Sequence, residues 1–513
     1  MMKESVIITD TRQQNLILIA MCGALAAVIA SVSGLNVAQQ ELAEQLGASQ
    51  SMLLWIINGY TLALASLLMP VGAIGDRWGR KPILLMGLGV FMGANLMGAL
   101  SGSTGVLLAA RLISGVGAAM IMPVTLSVIT SSFPPEQRAR AVGIWSGFAG
   151  GGGILGLFVS AWVVDNATWP WVFALPIVLS AIAFVITIPV VPNSSEYQLG
   201  KFDTVASVLS IFAIGGLVLG IHEGPERGWT DAITLSGLII GGVALLSFIR
   251  WELRTSDPLL DLRLFSHRAL SAGAIVLLVA FAIIFGIFLV LVQFLQAVLG
   301  YSALKAAAGL LPMMFTLMPL SAISPSIAKR VGIRTTMIIG TISFLIGLIL
   351  MALMTSPENG YWGVLPGLVA IGIGMGMCMS PSTVSITESL PQERQGVASA
   401  LNDTVREVGG AIGIALLGSL LASGYKSSIA STLDGLDPEA ADLVGDGIGT
   451  AFSAESMLGD KADQVFDDVR HAFVDGWHQS MWIAVAITSI LLVYVIFRGP
   501  RRGELSLDVE SAH

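Results

Sequence analysis

The stretch Gly72-Ala-Ile-Gly75-Asp76-Arg77-Trp78-Gly79-Arg80-Lys81 joins two apolar runs, near 52–74 and 82–102. It sets one carboxylate and three cations close together, with glycines among them. A helix needs about 20 mostly apolar residues to cross the hydrocarbon core of a bilayer. Between two such runs, a short charged segment marks the place where the chain leaves the membrane and turns back.

Working outward, comparable runs lie near 16–38, 105–130, 141–164, 170–191, 204–222, 231–250, 270–296, 306–328, 335–355, 361–386, 396–422 and 479–498, giving fourteen spans in all. The composition agrees. Of 513 residues 54% are hydrophobic and only 12% charged, about half the charge of an ordinary soluble domain. The tail before the first run, Met1 to Gln14, is polar and lacks a small-residue cleavage site, so the first span reads as a retained helix. The 26 Lys+Arg against 34 Asp+Glu leave no basic face for nucleic acid. Cys22 and Cys378 sit in apolar runs, and none of His222, His267, His471, His478 and His513 has ligand spacing. No metal site, cofactor or nucleophile–base pair is therefore expected, and an enzyme is the least favoured class.

Orientation follows from the cations. With the N-terminus inside, 19 of the 26 Lys/Arg fall in cytoplasmic segments, and five fall outside: Arg227, Lys305, Lys426, Lys461 and Arg470. Arg111 and Arg406 lie within spans. Both termini are thus expected in the cytoplasm. Between Ser423 and His478 stand eleven Asp/Glu and three basic residues, while the rest of the chain is neutral. The net charge of −8 belongs to one outward loop, either a solvated spacer or a vestibule attracting cations. Small-residue clusters at Gly115, Gly117 and Ala118, at Gly150 to Gly153 with Gly156, and at Gly372, Gly374 and Gly376 suit close helix packing.

The stretch at 72–81 matches every position of G-x-x-x-D-R-x-G-R-K/R, the loop that identifies the major facilitator superfamily. A topology anchor would account for its cations. The resemblance implies a charge latch built from Gly72, Asp76, Arg77, Gly79, Arg80 and Lys81. Arg111-Leu-Ile-Ser114-Gly115-Val-Gly117-Ala-Ala resembles the superfamily's R-x-x-Q-G-x-G-A-A, with Ser114 in place of Gln. That likeness puts Arg111 along a proton route, whereas position alone also allows an arginine snorkelling to the surface. Asn36-Val37-Ala38, Trp55, Gly224-Pro225-Glu226-Arg227-Gly228-Trp229, Pro258-Leu-Leu-Asp261-Leu-Arg263-Leu-Phe265 and Leu299-Gly300-Tyr301-Ser302-Ala303-Leu304 resemble the fourteen-helix drug/proton antiporter branch. The implied fold is all-α, with six-helix bundles over 16–191 and 270–498 and two helices inserted between them over 204–250. Tails 1–15 and 499–513 would be cytoplasmic, and 423–478 extracellular. Substrate would bind between bundles that rock to alternate access.

Two departures bear on coupling. The branch carries an aspartate in the first span where this chain has Ser31, and Gln40 stands at its proline. The fifth span, Gly152-Gly-Ile-Leu-Gly156-Leu157-Phe-Val-Ser160-Ala161, lacks the proline and glycine pair of the antiporter bend. A serine hydroxyl does not titrate near neutral pH. The replacement candidates are Asp403, Arg406 and Glu407 in the thirteenth span, at i, i+3 and i+4 on one helix face. Counted from Gly396 at 1.5 Å per residue they lie roughly 10–17 Å deep. Ionisable groups there carry protons or cations, or else form a self-neutralised lock in which Arg406 pairs both acids. Trp55, Asn58 and Tyr60 in the second span, with Gln293 and Gln296 in the ninth, are candidates to line the cavity, aromatics being attractive to organic cations. Interfacial belts use the same residues. Met313, Met314, Met318, Met375, Met377 and Met379 would make an adaptable wall or ordinary packing.

The reading is a multi-pass transporter of the cell membrane, acting as a monomer on small molecules and protons. It would export lipophilic, often cationic, compounds by proton antiport. The rivals are the same fold moving a dedicated metabolite or lipid without proton exchange, and a non-transporting membrane sensor.

Overall fold

The computed structural model describes residues 7–193 and 202–501. Lys3, Lys201 and Arg502 of the orientation count, and the outer parts of both tails, lie outside the described residues. Fourteen helices are long and apolar enough to cross a membrane. They run Thr11–Val37, Gln50–Trp78, Arg80–Ala99, Thr104–Ser132, Pro135–Asn166, Ala174–Val190, Thr204–Arg227, Ala232–Glu252, Arg268–Gln293, Ala303–Val331, Ile333–Met354, Gly360–Thr387, Gln395–Leu433 and Ala462–Arg498. Among the described residues there is no strand. The polar residues bounding the apolar runs act as caps: Ser49, Ser103, Asp203, Asp231 and Ser302 each accept from a backbone N–H in the first turn of the following helix.

Spans 1–6 pack among themselves, the first against the fourth, fifth and sixth, and the fourth against the second and third. Spans 9–14 form a matching group in which the ninth packs on the twelfth and thirteenth, and the fourteenth on the eleventh and thirteenth. Two long seams join the groups, the second span with the thirteenth and the fifth with the tenth. Spans 7 and 8 form a hairpin whose seventh helix touches both the second and the thirteenth.

Glycines set the seams. A Cβ on Gly72 would stand 2.5 Å from the Gly396 carbonyl oxygen, and one on Gly396 would stand 2.3 Å from that of Gly72. Only glycine lets these backbones touch. In the run Gly150–Gly153, a Cβ on Gly150 or Gly151 would meet Leu317, Met379 or Met318 of the second group, and one on Gly152 or Gly153 would meet Ile29 of the first span. The fifth span therefore fits between two neighbours, and without an internal proline it runs unbroken from Pro135 to Asn166. Gly372, Gly374 and Gly376 pack on the tenth and eleventh spans.

Burial is lopsided along the helix axes. The fourth span is buried continuously from Gly117 to Ser132, the twelfth from Gly374 to Thr387, and the thirteenth from Gln395 to Thr404. All three stretches lie at the end that carries Asp76. Their opposite halves show the alternating exposure of a helix with one free face. The two groups are thus pressed together at the Asp76 end, where the N-terminal segment also docks through Ile8 N–H to the Ser132 carbonyl, 2.9 Å.

The acidic segment 423–478 is helical rather than a spacer loop. The thirteenth span continues to Leu433, the fourteenth begins at Ala462, and short helices Pro438–Asp446, Ile448–Ala451 and Glu455–Leu458 lie between. Ile429, Ala440, Val444, Ile448, Val465 and Val469 are buried there, and Tyr425 Oη donates to the Val444 carbonyl at 2.6 Å. Its acidic residues face outward because the apolar ones among them form a small core.

Candidate functional site

The charge cluster proposed from the sequence as a latch joins two distant parts of the chain. Asp76 is 1% exposed. Its carboxylate accepts from the Gly396 N–H with both oxygens at 2.8 Å and from the Val397 N–H at 3.2 Å. These are the unpaired first-turn amides of a 39-residue helix, where the helix dipole also favours an anion. Arg80, equally buried, donates to Asp76 Oδ1 at 2.9 Å and to the Gln392 carbonyl at 3.3 Å. Gly79 turns the chain at φ 106°, open to glycine. Arg77 lies over the Phe202 ring at 5.4 Å and Lys81 donates to the Ile188 carbonyl at 2.6 Å. The carboxylate of Asp76 is thus shared between Arg80 of its own segment and the first amides of the thirteenth span.

Farther into the membrane the same helix carries Asp403, Arg406 and Glu407, the first two of them buried. Arg406 Nη1 donates to Asp403 Oδ1 at 3.2 Å, and Asn402 Nδ2 donates to the same oxygen at 3.1 Å. Arg406 Nη2 reaches across the seam to the Ala149 carbonyl at 3.2 Å, and its guanidinium lies 4.5 Å from the Phe281 ring centre and 5.6 Å from that of Trp145. Asp403 is fully buried. The i, i+3, i+4 spacing brings all three charged groups together, but the ion pair forms with Asp403 alone. Glu407 is half-buried, takes part in no hydrogen bond or ion pair among the described residues, and interacts electrostatically with Arg406 and Asp403 of its own helix and with Tyr60 of the second span.

Arg111 is neither snorkelling nor paired with an acid. It is fully buried, donating from Nε to the Ile56 carbonyl at 3.2 Å and from Nη1 to the Ser31 carbonyl at 3.2 Å and Ser31 Oγ at 2.9 Å. Its guanidinium covers the Tyr60 ring at 4.2 Å. Ser31 Oγ in turn donates to Asn95 Oδ1 at 3.1 Å. The residue standing where relatives of the branch carry an aspartate is therefore the direct neighbour of this cation.

The cavity candidates separate. Tyr60 belongs to the Arg111 cage, its hydroxyl donating to the Val28 carbonyl at 3.1 Å. Trp55 and Asn58 border a shallow notch with Val218, His222 and Glu223 of the seventh span. Gln293 is half-buried near the end of the ninth span, and Gln296 is exposed in the π-helical turn Phe294–Val298 that follows. Sequence reasoning missed Asn95, Asn402, Trp145 and Phe281. Two of these carry a readable signal, being amides within apolar spans. The two aromatics do not, since only packing brings them to Arg406.

Residues 19–414 match the Major Facilitator Superfamily, and the chain belongs to that family. Among curated proteins, it is similar to methyl viologen resistance protein SmvA of Salmonella typhimurium, 31% identical over 90% of this chain and 93% of that protein. It also resembles multidrug efflux pump LfrA of Mycolicibacterium smegmatis, 30% identical over 89% and 91%. Multidrug resistance protein Stp of Mycobacterium tuberculosis is 29% identical over 83% and 80%. Among solved structures, the human organic anion transporter MFSD10 superposes with a TM-score of 0.59 at 13% identity, over 93% of this chain and all of that one. Fourteen apolar helices and these bacterial relatives make the chain a multi-pass transporter of the cell membrane.

Proposed function

We propose that this protein exports lipophilic, cationic small molecules by alternating access, driven by proton antiport. The observation that carries the reading is the charge arrangement in the thirteenth span. Asp403 and Arg406 neutralise each other, while Glu407, half-buried at the seam between the groups, has no ion pair to break when a proton or a cation arrives. The names of the similar proteins support the substrate class, methyl viologen being a dication, LfrA a multidrug efflux pump and Stp a multidrug resistance protein. The Asp76 face is assigned to the cytoplasm from the excess of Lys and Arg on that side. In this structure the two groups are pressed together at that face. Exchange would run through Glu407, with Arg406 releasing the Ala149 carbonyl as the seam parts.

The test is efflux of ethidium or methyl viologen from cells making the intact protein, Glu407→Gln or Asp403→Asn, with and without a protonophore. Export abolished by the protonophore and by Glu407→Gln is the expected outcome. Export that survives both overturns the coupling. A second reading, the same fold moving substrate without proton exchange, is favoured by Ser31, which leaves Arg111 in a neutral cage.

A further inference from the structure

The segment returning from the inserted hairpin to the ninth span, which includes Pro258-Leu-Leu-Asp261, lies against the latch. Leu259 and Leu260 are 5% and 4% exposed. The Leu260 N–H donates to Glu252 Oε2 at 3.4 Å, at the end of the eighth span. Trp251 Nε1 donates to Asp203 Oδ2 at 2.9 Å, and Asp203 caps the seventh span through Ala206 N–H at 2.8 Å. The strap and both inserted helices are therefore one unit at this face.

That unit grips both sides of the latch. Arg394 Nη1 donates to the Pro258 carbonyl at 2.9 Å, and Arg394 stands two residues before Gly396, whose N–H meets Asp76. On the other side, Arg77 lies over Phe202 and is repelled by Arg394 but drawn to Asp76, Asp257 and Asp203. Asp76, Arg77, Asp203, Asp257 and Arg394 border one small polar cavity. For this face to open, the first turn of the thirteenth span must leave Asp76. Arg394 leads that turn, so it cannot leave without releasing the strap or dragging it from Arg77.

We infer that the strap around Asp257–Leu260 is a second bolt on the latch, through which the two inserted helices stabilise the conformer closed at the Asp76 face. The inserted pair then sets the ratio of the two conformers rather than lining the route of the substrate. Loss of this charge-donated hydrogen bond is expected to shift that ratio about tenfold toward the open form.

The test needs no transported substrate, so it stands apart from the assignment of drug specificity. Ser380 is buried at the seam, its Oγ 3.2 Å from where a Cβ on Gly143 would stand. Ser380→Cys in the full-length chain, reconstituted in lipid, is reacted with N-ethylmaleimide, and the native chain supplies the background from Cys22 and Cys378. Asp76→Asn sets the scale of an opened latch. Arg394→Ala, from the helix side, and Leu260→Ser, from the strap side, are each expected to speed labelling about tenfold. Their double variant should add little, because both act through one contact. Arg394→Lys, which keeps a donor, should recover part of the effect. Unchanged labelling in Leu260→Ser, with the protein monodisperse and Asp76→Asn responsive, overturns the inference, as does full additivity of the two substitutions.

Discussion

Besides Arg80 at a helix end, two arginines are buried within the membrane helices, one in each group, and they are held in opposite ways. Arg111 rests among neutral partners, two backbone carbonyls, a serine hydroxyl and the face of Tyr60, all from spans 1 and 2. Arg406 is paired with Asp403 on its own helix and bonded to the Ala149 carbonyl in the other group. Every bond to Arg111 stays inside one bundle, whereas one bond to Arg406 crosses the seam and would have to be remade in each cycle of the proposed rocking. A fixed charge needs only enough acceptors. One that takes part in movement needs a local counter-ion, so that it is never stranded when its far partner leaves.

The largest expected effect follows from removing that counter-ion. Asp403→Asn leaves Arg406 buried and unpaired, at a cost of roughly 3–5 kcal/mol in the detergent-solubilised protein, read from thermal unfolding. Ser31→Ala removes one hydroxyl from the Arg111 cage but leaves its carbonyls, and the loss there is about 1.5–3 kcal/mol. A loss equal to that of Asp403→Asn would erase the contrast between the two sites. Gly72→Ala places a methyl group against the Gly396 carbonyl and is expected to cost about 1–3 kcal/mol, lowering the melting temperature and loosening the closed face. Glu407→Gln should change stability by under about 1 kcal/mol, since no ion pair is lost, while abolishing proton-driven efflux. A stability loss like that of Asp403→Asn would show that Glu407 is a structural partner of Arg406.

The fourteen spans were legible because an apolar run of bilayer length has few other readings. The ends of the thirteenth and fourteenth helices were not, because beyond the apolar stretch they continue as acidic amphipathic helix around Tyr425 and Val469, which hydropathy reads as loop. The 72–81 stretch showed a clustered carboxylate and cations, and Arg80 lies within it; the other partners of Asp76 are two backbone amides more than 300 residues away, and amides leave no mark in sequence. The spacing of Asp403, Arg406 and Glu407 put three charges on one face. Which acid takes the arginine depends on Asn402, Ala149 and Phe281, and so on packing across the seam. Trp55 and Asn58 border a notch shared with the inserted seventh helix, a neighbour that the second span read alone does not reveal.

The thirteenth span runs 39 residues without a break, roughly 58 Å at 1.5 Å per residue. One rod therefore carries the amides that hold Asp76 at one end, the Asp403–Arg406 pair along its length, and the folded acidic cap at the other. A rod of that kind is a lever. Any tilt that frees its first turn from the latch sweeps the cap through an arc on the far side of the membrane. A dye or antibody fragment fixed to the cap would register the state of a contact it never touches.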